Sequence, residues 1–196
     1  VAQGKSAATT VAATAHIAAL AGIHIFATGG LGGVHRGAKE SFDVSADLTA
    51  LANVDMTMIC AGVKSILDVP ATLERLETLA ISLVGYKTTA FPGFYLTDSG
   101  FKLEHRVESS QEIAKIWGLR HGLNTDDTAV IVANPVANEM DKAFHDQILE
   151  AGLAAAAHAK ITGKAVTPFL LEHFHSTSKG ESLRVNIEII KANSKL

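Results

Sequence analysis

The pattern that most restricts the fold of this chain is a recurring unit: a short apolar run that stops at small residues, then a helix-forming stretch. "IHIFATGG", "DMTMICAG", "ISLVGY" and "TAVIVANP" are each too short for a buried helix, and they read as strands. Between them, "SADLTALANV", "PATLERLETLA" and "SSQEIAKIWGLRHGL" read as helices, the first with Ser45 or Asp47 placed to cap it. Strands joined through helices form βαβ units. The expected fold is therefore three-layer α/β/α, a mainly parallel sheet flanked by helices. "SAATTVAATAHIAALAG" predicts a helix of small residues closed by Gly22, and "NEMDKAFHDQILEAGLAAAAHAK" a long one. Further helical stretches are expected around Thr167–His173 and Glu181–Ala192. No repeat or low-complexity linker divides residues 1–196, which read as a single domain.

Composition narrows the function. Hydrophobic residues make up 47% and charged residues 19%, with a net charge of −3. A basic excess is missing, which argues against a nucleic-acid binder or a membrane-surface protein. A mean hydropathy of +0.22 points to elements buried on both faces or to an oligomer interface. A single cysteine, Cys60, rules out an internal disulfide and a Cys-x-x-Cys zinc arrangement. It suits a reducing compartment, so the cytoplasm is expected, with an organelle as the alternative. No stretch reaches the roughly 20 apolar residues of a membrane span, and no basic-then-apolar leader is visible. The chain opens at Val1 rather than at a methionine, which reads as truncation at the amino end.

The chemically unusual residues cluster just past three strands: after Thr28, after Cys60 and after Ala133. In parallel sheets, ligands bind at those carboxyl ends. "FATGGLGGVHRGAKESFDVSADL" holds Gly29, Gly30, Gly32, Gly33 and Gly37, yet fits neither the dinucleotide fingerprint nor the P-loop. "GKS" at Gly4–Ser6 precedes a helix as the end of a P-loop would, without an upstream glycine to test it. Glycines let backbone amides approach a ligand closely, and His35 and Arg36 would add anion donors; a tight turn is the alternative. Asp43 and Asp47, flanking Ser45, could face a divalent cation through oxygens and waters, or one of them could cap a helix. Lys64, among Val63, Ile66 and Leu67, would have its pKa lowered by desolvation and could attack a carbonyl as a Schiff-base lysine. A lysine snorkelling to the surface is the competing reading. His173 and His175 lack a third ligand at a suitable spacing and read as helix residues, and Cys60 as a core residue.

Together these stretches resemble the pseudouridine-5'-phosphate glycosidase family, also called indigoidine-synthase-A-like. "ATTVAAT", "FATGGLGGVHRGA", "DVSADL", "CAGVKSILD", "TLERLET", "ANP", "TPFLL" and "ESLRVNI" follow in the family's order over nearly the whole chain. The resemblance implies reversible cleavage of the C–C glycosidic bond of pseudouridine 5'-phosphate to uracil and ribose 5-phosphate. It implies a lysine–sugar adduct, matched by Lys64, and a divalent metal, Mn²⁺, on Asp43. Ser45, Ala46 and Asp47 match a substrate-binding triplet and Val11 a further substrate contact. Thr28, His35 and Asn186 match positions holding the sugar phosphate or base, with Asn134 in "ANP" a further candidate. A homotrimer is implied as well. Family members carry a further amino-terminal segment that holds a proton-donating glutamate and a substrate-contacting lysine, and neither is assigned to a residue here. "SKGES" stands where the family has a glycine-rich turn, and the last helix is expected to be short. Two other readings fit the same residues: a sugar-phosphate-binding pseudoenzyme, and a Schiff-base lyase acting on another sugar phosphate.

Overall fold

A computed structural model describes residues 3–6 and 8–196; Val1, Ala2, Ala7 and the side chain of Lys164 lie outside what it describes. The apolar runs form strands β1 (Ile25–Ala27), β2 (Thr57–Cys60), β3 (Ser82–Tyr86) and β5 (Val130–Ala133), joined by a two-residue β4 (Arg106–Val107). All pairs are parallel, in the order β1-β2-β5-β3-β4. Met58 pairs with Phe26 on one side and Ile131 on the other, fixing the register at the centre.

Successive residues point to opposite faces of the sheet, so the strands serve two cores. Met58, Cys60, Ile131 and Ala133 enter the larger one. There they meet α3 (Ala46–Leu51), α4 (Val69–Thr78), α6 (Lys142–His158), α7 (Val166–Thr177) and α8 (Glu181–Lys195). Ile59, Val84, Val130 and Val132 enter the smaller, which Ile113 and Ile116 of α5 (Ser110–Leu123) cover. The fold is thus α/β with helices on both faces, one layer thicker than the other. Among the described residues no helix is long and apolar enough to cross a membrane.

Caps set the helix ends. Ser45 Oγ accepts from Asp47 N at 3.2 Å, so the serine, not the aspartate, begins α3. Asp68, Ser109 and Asp141 do the same for α4, α5 and α6. α1 (Val11–Leu20) starts later than the small-residue pattern suggests. Thr10 is extended (φ −96°, ψ −177°), and no side chain of its own caps the helix. "GKS" therefore stands apart from the helix start. Gly22, at φ +74°, closes α1 as expected, with Ile23 N donating to Ala18 O. The remaining helix, α2 (Ala38–Ser41), is a single turn within the glycine-rich connection.

The β1–β2 pairing continues past the strands. Thr28 N donates to Ile59 O, Ala61 N to Gly29 O and Leu31 N to Gly62 O. This lays the glycine connection alongside the Ala61–Lys64 turn, at the carboxyl end of the sheet.

Candidate functional site

Between these two connections lies a cavity of about 470 Å³. Val11, Thr28, His35, Ser45, Asp47, Lys64 and Asn186 all line it, brought together from α1, the ends of β1 and β2, α3 and α8. Ala46 and Asp43 do not line it. Asp43 stands one step behind, its Oδ2 lying 3.7 Å from His35 Nδ1.

Asp47 organises the site. It is 7% exposed, and its carboxylate accepts from Ala12 N at 3.0 Å and from Gly32 N at 2.9 Å. The first bond supplies α1 with the cap its own sequence lacks and places a negative charge at the positive end of that helix. The second holds the glycine connection against α3. A Cβ at Gly32 would collide with Ser45 and Asp47, so glycine here is a requirement of close approach.

Lys64 is half-buried at the end of the Ala61–Lys64 turn. Burial lowers its pKa from the ordinary lysine value, and the nearby Asp47 charge partly opposes that shift. The turn is held on several sides. Leu67 N donates to Lys64 O, while Arg36 donates from Nε to Ile66 O and from Nη2 to Ser65 O, each at 3.1 Å. Arg36, read from the sequence as an anion donor, instead braces the lysine turn. Gly62, at φ +75° against Pro92 O, permits the turn's geometry.

His35 shares its Nδ1 with Thr167 Oγ1 at 2.9 Å. Asp43 Oδ2 is buried and has no hydrogen-bond partner among the described residues, which leaves a carboxylate oxygen available to a cation. A lone carboxylate with waters suits a hard divalent ion such as Mn²⁺. Asp47, by contrast, accepts a backbone amide at each of its oxygens.

Asn134 stands farther back: its Nδ2 donates to Asn193 Oδ1, and Asn193 Nδ2 donates to Thr28 O at 2.7 Å. The pair fixes the end of β1 from behind. Burial pushes the Cys60 thiol up to about 12, in keeping with a core residue. His173 and His175 lie on α7, as expected.

Several residues escaped sequence reasoning. Thr9, Thr10, Phe94, Thr167 and Ile190 also line the cavity. Of these, Thr167 was within reach, since it opens the "TPFLL" stretch. His145 was not, because its partners are Ser65, far away in the chain, and Asp146. A separate group, Asp55, His121 and Asp126, gathers at the amino ends of the strands. His121 Nδ1 donates to Trp117 O, and Nε2 meets Asp55 Oδ2 at 2.8 Å. These bonds, the Trp117 one first, raise the pKa of His121 and tie α5 to the foot of β2.

The model of the family described as indigoidine synthase A like protein matches residues 1–196. Pseudouridine-5'-phosphate glycosidase of Salinispora tropica is 56% identical over 193 residues, covering 96% of this chain and 59% of that protein. The Frankia alni protein of the same name is 53% identical, over 98% of this chain and 54% of its own length. Among solved structures, an indigoidine synthase A-like protein of Thermotoga maritima superposes with a TM-score of 0.87 at 39% identity, covering all of this chain and 64% of its own. The prealnumycin C-glycosynthase AlnA, in complex with ribulose 5-phosphate, superposes at 0.92 with 30% identity, over 99% of this chain and 64% of its own. This chain spans less than two thirds of the length of each of these four proteins. With the match running from the first residue to the last, the chain belongs to the indigoidine synthase A like family.

Proposed function

We propose that this chain carries the nucleophile and sugar-phosphate site of a pseudouridine-5'-phosphate glycosidase, which reversibly splits the C–C glycosidic bond to give uracil and ribose 5-phosphate. The observation that carries this reading is Lys64: a half-buried lysine of lowered pKa in the cavity where the other expected sugar contacts converge. A C–C bond cannot be cut by protonating a leaving oxygen alone, so a covalent route is needed.

The neutral Lys64 amine forms an N–C1 bond as the C1–O4 bond opens and the ring oxygen takes a proton. The nitrogen lone pair then forms C=N as the C1–uracil bond breaks, and uracil C5 takes a proton. Water adds to the iminium carbon, returning the lysine and releasing ribose 5-phosphate. Burial raises the neutral fraction of the amine, and Asp47 stabilises the iminium charge across the cavity. Thr28, His35 and Asn186 hold the sugar phosphate or the base, and Val11 at the amino end of α1 adds a further substrate contact. Ser45 adds a substrate contact beside Asp47, while Ala46, which does not line the cavity, serves by starting α3 behind it. Asp43 would hold Mn²⁺ through its buried oxygen, and the ion would supply positive charge to the site.

A homotrimer belongs to the same proposal. Ile17 and Leu20 on α1, Ile25 on the edge strand, and Leu183 and Ile187 on α8 are exposed apolar residues that such an assembly would cover. Sedimentation at about three times the 20.6 kDa of the chain tests this.

A second reading is favoured by the likeness to a C-glycosynthase holding ribulose 5-phosphate: the same lysine chemistry on a different sugar phosphate. Uracil release separates the two. With Mn²⁺ present, pseudouridine 5'-phosphate should yield uracil, and ribose 5-phosphate should inhibit better than ribulose 5-phosphate. Preference for ribulose 5-phosphate without uracil release would favour the second reading.

A further inference from the structure

The Lys64 turn separates two cavities. Lys64 opens on the sugar-phosphate cavity, while its neighbour Ser65 faces a second cavity of about 400 Å³ lined by His145 and Asp146. Ser65 Oγ lies 2.7 Å from His145 Nε2, and His145 Nδ1 lies 2.9 Å from Asp146 Oδ1.

The direction of these bonds follows from chemistry. The Asp146 carboxylate, held by Lys142 Nζ at 2.7 Å, can only accept, so it fixes the proton on His145 Nδ1. His145 Nε2 is then bare and accepts from the Ser65 hydroxyl. The imidazole is 1% exposed, and burial lowers its pKa and keeps it neutral, in the state this chain of bonds requires. Its ring packs 5.3 Å from Phe174 of α7, which leaves little freedom to tilt.

We propose that Ser65, His145 and Asp146 are positioning residues for Lys64: a hydrogen-bonded chain that ties the lysine turn to α6 and fixes the direction from which the amine enters the cavity. The inference rests on the reading of Lys64 as the adduct-forming lysine. Ser65 is bonded on two sides, at Oγ by His145 and at its carbonyl by Arg36, so the turn is held from α6 and from the glycine connection at once. A reacting amine misplaced by about 1 Å can lose on the order of 100-fold in rate, which is the scale such bracing controls.

The test compares the parent with S65A, H145A, H145N and D146N, using two readouts on proteins that keep a cooperative melt. Trace acetylation with acetic anhydride reports Lys64 reactivity relative to the other lysines and requires no substrate. Borohydride trapping with ribose 5-phosphate reports the adduct rate at saturating and at limiting sugar. S65A and H145A should slow saturated trapping about ten-fold while the half-saturating concentration stays within about two-fold. They should shift relative Lys64 acetylation by about three-fold or more, and H145N, which retains an acceptor for Ser65, should recover much of both. D146N should fall between. S65A with parental acetylation or parental saturated trapping overturns the proposal, and S65A and H145N decide it if H145A fails to fold. A parent that traps no sugar removes the glycosidase reading, and acetylation alone then decides the role of Ser65 and His145.

Discussion

Replacing Asp47 by alanine should have two separable consequences. The carboxylate accepts from Ala12 N at the start of α1 and from Gly32 N in the glycine connection, and among the described residues no other side chain caps α1. Bonds to a charged acceptor contribute about 1.5–3 kcal/mol each, and both amides are only half-buried, so a total loss of about 2–4 kcal/mol is expected. In a chain of this size that lowers Tm by about 5–12 °C. Asparagine retains one acceptor oxygen and should lose about half as much. The second consequence concerns Lys64. Burial lowers its pKa and the Asp47 charge holds it up, so losing that charge lets the amine pKa fall further. The pH midpoint of Lys64 acetylation should therefore move down in both variants while the melt of D47N lies between those of parent and D47A. A Tm within about 2 °C of the parent would refute the clasp. An upward shift of the Lys64 midpoint would refute the charge coupling.

Other perturbations probe the remaining links. Gly62→Ala places a Cβ against Pro92 O at φ +75° and should destabilise by about 3 kcal/mol or more, read by urea unfolding; a near-neutral variant would contradict the turn geometry. Cys60, pushed up to about 12 by burial, should resist thiol reagents at pH 8 until the protein unfolds, and rapid labelling of native protein would contradict its placement. His121 has a raised pKa, so its bond to Asp55 contributes fully below the ordinary histidine value and is lost as pH rises through the raised one. The stability gap between parent and H121Q should accordingly be widest near pH 5.5 and narrow by pH 8.5. Asp43→Asn should weaken Mn²⁺ binding measured by calorimetry and leave Tm without metal close to the parent; unchanged affinity would move the metal elsewhere.

Much of this was legible because local chemistry and fold agreed. The apolar runs gave four strands, and Ser45 and Gly22 marked helix ends that the structure keeps. β4 escaped because Arg106–Val107 has no period to detect, and it exists only through pairing with β3. α1 was read too long because the small-residue pattern runs through Thr10, whose backbone is extended. Of the site, Lys64, His35 and the Asp43–Asp47 stretch were readable from strand-end or glycine context and Val11, Thr28 and Asn186 only through the resemblance; seven of the ten residues matched by it line one cavity. Arg36 was misjudged because its carbonyl partners lie on the lysine turn, which spacing does not reveal. Ser65 and His145 meet across 80 positions, so only the packing of α6 against the turn brings them together.

The account turns on Lys64 as the nucleophile. Borohydride reduction in the presence of ribose 5-phosphate, followed by peptide mass mapping, tests that most directly. A single reduced pentose-phosphate adduct is expected on the peptide bearing Lys64, forming faster as pH rises, levelling off below the ordinary lysine value, and absent in Lys64→Ala. An adduct on another lysine, or its persistence in Lys64→Ala, would contradict it.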